Sequence, residues 1–85
     1  MVKYFSASAV LKSANILVDV KSVILSATAG TAVATLKVGG SGGTTVADIR
    51  VATSGDSTQV VFFDGLLADY IVLSNGVATV EFTPR

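Results

Sequence analysis

The 85-residue chain predicts an all-β domain: a small antiparallel β-sandwich or jelly-roll-like barrel of six to seven short strands. Three observations predict it. β-Branched residues come in short runs, and in the clearest of them apolar and polar side chains alternate, which is the period of a strand with one buried face. Clusters of Gly, Asn, Asp and Ser separate the runs at intervals of about 8–12 residues, a spacing typical of sandwiches and barrels. The one stretch rich enough in Ala to suggest a helix, 27–36, is interrupted by Gly30 and by interspersed Thr and Val, all poor helix formers.

The elements follow in chain order. A first extended segment covers 3–11, where Ala and Ser leave the assignment open. The segment 1–13 is therefore either the first strand or an anchoring arm, and 14–85 forms the sandwich domain. Strands are expected at 16–26 and 32–38, with Gly30 marking the turn between them. The next is 44–51, in which Ala47, Ile49 and Val51 oppose Val46, Asp48 and Arg50. "TSGDS" at 53–57 turns the chain into a strand at 58–63, and Asp64-Gly65 marks another turn. Asn75-Gly76 is the preferred pair for a type I′ hairpin turn, which needs positive φ at both central residues. It joins strands 69–74 and 77–83. In the last of these Ala78, Val80 and Phe82 face one way and Thr79, Glu81 and Thr83 the other, and Pro84 closes it for want of an N–H.

Composition narrows the function. Hydrophobic residues make up 51% and charged residues 14%, against the roughly 25–35% charge of an ordinary surface. Part of the surface is thus expected to be covered by other subunits, since permanent interfaces resemble a core cut in half. Six basic and six acidic residues cancel, which leaves no electrostatic footprint for nucleic acid or an anionic membrane. The longest uncharged stretch, between Lys21 and Lys37, is shorter than the ~20 apolar residues of a spanning helix. The serine-broken start does not read as a signal peptide.

Chemistry finds few candidates. "VGGSGGTT" at 38–45 is rich in glycine, but Thr45 stands where a dinucleotide fingerprint needs its third Gly. Thr44 stands where a phosphate loop needs Lys, and a strand pattern follows instead of a helix. The stretch is read as a strand connection, outward and mobile unless a partner clamps it. With no Cys or His, the usual zinc, iron and copper ligands are missing. Asp48, Asp56, Asp64 and Asp69 lack calcium-loop spacing, and Asp64 and Asp69, the nearest pair for hydrolytic work, read as solvated strand ends. No catalytic residue, cofactor or metal is expected.

Two runs break the alternation. "VVFF" (Val60 to Phe63) and "IVL" (Ile71 to Leu73) are apolar on both faces, so one face enters the core and the other must be covered, by the chain itself or by a partner. Val2, Tyr4 and Phe5 either anchor the N-terminal segment on a partner or cap the sandwich core. The candidate partner interface is therefore Val2, Tyr4, Phe5, Val61 and Phe63.

Across residues 14–83, "AVATLKV", the Gly/Ser loop, "TTVADIRV", "VFFDGL", "YIVLSNG" and "VATVEF" resemble a recurrent small β-sandwich of tailed-bacteriophage virion proteins. The resemblance implies a non-enzymatic capsid decoration or cement protein on the virion surface. Its partners would be the major capsid protein and copies of itself, as a homotrimer, with no nucleic acid and no membrane. The alternative is a neck, tail or fibre module that binds a receptor or glycan, or a β-protein that assembles with itself alone.

Overall fold

The computed structural model describes residues 1–84. Eight strands run in the order β1 (Val2–Phe5), β2 (Ala9–Val10), β3 (Val18–Ala27), β4 (Ala32–Val38), β5 (Thr44–Val51), β6 (Ser57–Ala68), β7 (Tyr70–Ser74) and β8 (Gly76–Pro84), with no helix among the described residues. They form two antiparallel four-stranded sheets, β1-β8-β3-β6 and β2-β7-β4-β5. Both sheets are open, so of the two architectures the sequence allows this is the sandwich. The radius of gyration, 11.6 Å, matches the ~12 Å expected of a compact chain of this length.

β4 and β5 span the residues their alternation predicts. Ala32, Ala34 and Leu36 of β4, with Ile49 and Val51 of β5, point into the core. The last strand behaves likewise: Ala78, Val80 and Phe82 are buried. Pro84 does not lie beyond it, however, but is its final residue, opposite Val18.

β3 explains a switch in its own sequence. Val18 and Val20 are buried at even positions, then Val23, Leu25 and Ala27 at odd ones. In a regular strand that change of parity would turn half the apolar residues outward. The pairing with β8 slips by one residue between Val20 and Ser22, so Lys21 is the extra residue of a bulge, and the inward face is restored beyond it. β6 responds more strongly. Val20 pairs Leu66 and Ser22 pairs Val61, which leaves four residues, 62–65, opposite Lys21 alone. Asp64-Gly65 is therefore an arch inside one long strand, with Gly65 at φ 76°, and not the turn its composition suggests.

The chain crosses between sheets at every connection except β4–β5. The glycine loop thus makes the only hairpin among the described residues, and the hairpin expected at Asn75-Gly76 does not form. β7 and β8 lie in different sheets, and only Asn75 of the pair has positive φ, 59°. Asn75 is a corner: its carbonyl accepts from the N–H of Thr28 at 2.9 Å and its side-chain amide donates to the Thr31 carbonyl at 3.2 Å. Gly76 is required by close approach. A Cβ there would lie 2.6 Å from the Ser26 carbonyl oxygen and 2.8 Å from the Ala32 Cβ. Gly76→Ala should therefore lower stability by about 1–3 kcal/mol, the range for overpacking. Urea unfolding checks it.

The candidate interaction surface

β6 continues into β7 through one residue, Asp69, where the chain bends from the first sheet to the second. Asp69 is not a solvated strand end; it is 4% exposed. Its N–H donates to the Lys37 carbonyl at 2.9 Å and its carbonyl accepts from the N–H of Leu11 at 3.0 Å. Its carboxylate accepts from the backbone N–H groups of Gly39, at 3.1 and 3.2 Å, and of Gly40, at 3.0 Å. Those two glycines have φ of 99° and 82°, which side chains rarely tolerate. The loop after β4 does point outward, as expected, but its base is fastened by the protein's own Asp69 and not by a partner.

The outer face of each sheet has its own chemistry. On β2-β7-β4-β5 the face is mixed: Asp48 and Arg50 form an ion pair at 3.2 Å and Thr35 donates to the Asp48 carboxylate at 3.4 Å, with half-buried Val72 opposite Thr35 and Val33 opposite Arg50. Of the "IVL" run, Ile71 is buried and Leu73 packs against the core, while Val72 lies on the outer face opposite Thr35 and is half-buried.

The outer face of β1-β8-β3-β6 is different. Register aligns Val2, Glu81, Ser22 and Val61 in one row across the four strands, and Tyr4, Thr79, Ile24 and Gln59 in the next. Val2, Tyr4 and Val61 are exposed, and Phe63, in the arch of β6, is 94% exposed. Four of the five residues read from the sequence as a partner interface thus share one face. They sit at its two edges, about 14 Å apart by strand spacing. Between them lie Glu81, whose carboxylate accepts a bond from the Ser22 hydroxyl at 3.4 Å, together with Thr79 and half-exposed Ile24.

Phe5 is the exception. It is 4% exposed and belongs to the core, with the Lys3 ammonium 5.5 Å from its ring centre. Nor is the N-terminal segment a detached arm: β1 is an edge strand on β8, and Leu11 is fully buried. β1 turns Tyr4 outward and Phe5 inward, which two adjacent aromatics in an uncertain segment could not reveal.

The composition carries a surplus of apolar residues that the fold must place. The accessible surface is 4380 Å², close to the ~4,700 Å² usual for this mass, so packing is not loose. The surplus appears instead as large side chains on the surface, with Phe63 the extreme case. Among the described residues no pocket opens and no three acidic side chains gather as a metal site would need. No family model, curated protein or solved structure matches the chain.

Proposed function

We propose that this is a non-enzymatic structural protein of a tailed-phage virion, a capsid decoration or cement protein. It docks on the shell and stabilises contacts between major capsid subunits, together with further copies of itself. The observation that carries the reading is the outer face of the first sheet. Its exposed Val2, Tyr4, Val61 and Phe63 are large apolar side chains and include the most exposed aromatic, Phe63, whereas the opposite outer face sets half-buried Val33 and Val72 around the Asp48–Arg50 ion pair. Aromatic side chains set among small polar ones suit an interface in which a few residues carry most of the affinity.

Purified shells lacking the protein test the proposal. Saturable binding is expected, and Tyr4→Asp should weaken it at least tenfold with the fold intact, because Tyr4 is 63% exposed. Absence of binding to such shells would overturn the reading.

A further inference from the structure

β6 is the longest strand and lies at the edge of its sheet. Its hydrogen-bond directions follow from its pairing with β3. The N–H of Ala27 donates to the Asp56 carbonyl at 2.9 Å and the Ala27 carbonyl accepts from Gly55 at 3.0 Å, so Ala27 aims its backbone at the β6 side. In an antiparallel ladder this direction repeats at every second residue. Leu25 and Val23 therefore exchange bonds with their partners Thr58 and Val60. The N–H and C=O groups of Ser57, Gln59 and Val61 consequently point away from the sheet, along an edge with no neighbouring strand.

Natural edge strands are protected by charges, by proline, by bulges or by being short. β6 is irregular at its arch, 62–65, but the strand leading into it is regular, and the seven residues "STQVVFF" contain no charge, no proline and no glycine. That composition favours strand-to-strand association between identical segments. The short edge β1 at the other side of the sheet has only four residues and carries Lys3.

The geometry points to a second copy of this chain as the occupant of the edge: β6 pairs antiparallel with β6 of another molecule across a two-fold axis, making one continuous eight-stranded sheet. Charge narrows the arrangements, and the covering of Phe63 chooses among them. A parallel in-register pair would stack Asp64 on Asp64, and an antiparallel axis through Val60 would set Asp56 opposite Asp64. An axis through Val61 avoids both. It places Val61 against Val61 and Val60 against Phe62. Phe63 then faces Gln59 of the second copy, beside the row that holds its Ile24, and this accounts for what covers the most exposed aromatic of the chain. Like apolar pairs across strands are each favourable. An isologous contact closes at two copies, so the assembly is a dimer and not the trimer that the resemblance implies. The inference extends the self-association in the proposed function but does not require a shell.

The test joins mass by light scattering with amide hydrogen exchange on the free protein. The expected mass is twice the 8.6 kDa of the chain, with the amides of Gln59 and Val61 protected like those of Thr58 and Val60. Gln59→Pro removes an N–H that β3 does not use, a position where an edge strand tolerates proline. It should give single chains with unchanged β circular dichroism. Val61→Lys sets two ammonium groups against each other on the axis and should do the same, and it decides the matter if the proline variant does not fold. A single-chain or three-chain mass for the unmodified protein would overturn the inference, as would a folded Val61→Lys that keeps the double mass. Protection of Gln59 and Val61 that appears only when shells are added would assign the edge to a shell protein and overturn it too. A dimer that ignores shells would leave this inference standing and remove the proposed function.

Discussion

Phe82→Ala is expected to cost about 3–5 kcal/mol, the range for emptying a buried aromatic site. Phe82 is fully buried on β8, facing its neighbour Val20 on β3, and β8 itself is held between β3 and β1. Its backbone also closes the β1 edge: the N–H donates to the Met1 carbonyl at 2.8 Å, and the Met1 amino group donates to its carbonyl at 2.9 Å. A domain of this length has on the order of 4–13 kcal/mol of stability in all. The substitution removes a large part of that, and the melting temperature should fall by on the order of 20 °C. Differential scanning calorimetry measures it. A drop of only a few degrees would mean that the sandwich collapses around the vacancy.

Asp69→Ala should be the next most damaging, by about 3 kcal/mol. A carboxylate that accepts from two backbone N–H groups makes bonds of the stronger, charged kind, and its removal leaves both donors at the base of the loop without a partner. Asp69→Asn keeps one acceptor oxygen and should lose roughly half as much. The distinguishing measurement is residue-resolved exchange: the amides of Gly39 and Gly40 should lose protection in the alanine variant while those of β3 keep theirs under mild conditions. Equal loss throughout the molecule would assign Asp69 a purely global role.

The strands that were legible in the sequence are those whose signal is local. β4 and β5 are bounded by Gly30, the glycine loop and "TSGDS", and each carries its own alternation, so both ends and the inward face could be read. What could not be read depends on partners far along the chain. Asn75-Gly76 has the composition of a tight turn, but whether its flanking strands pair is decided by which sheet each joins, and Gly76 is needed for contact with Ser26 and Ala32. Asp64-Gly65 resembles a strand end because nothing local announces that the bulge at Lys21 lets β6 arch and resume. Asp69 looked like a solvated terminus because its partners are main-chain amides 29 and 30 residues away, which carry no side-chain signature.

The same distinction holds for the surface. "VVFF" announces two apolar faces by itself, and the structure buries part of Val60 and Phe62 while leaving Val61 and Phe63 outside. One signal in the sequence does anticipate a longer-range feature. The change from even to odd apolar positions between Val20 and Val23 can only be reconciled with a single buried face by an inserted residue, which is the bulge.

The sheet-crossing topology also has a consequence for synthesis. β3, at the heart of its sheet, finds its partners in β6 and β8, the latter spanning Gly76–Pro84. Only the β4–β5 hairpin joins neighbours in sequence. As the chain leaves the ribosome, the apolar face of β3 must wait for most of the remaining residues before it can be covered, and such non-local closure is slow, on the order of milliseconds to seconds. The nascent protein therefore passes through an interval in which its middle is complete in sequence yet sticky. Its yield in a cell should depend on how fast β6 to β8 are translated.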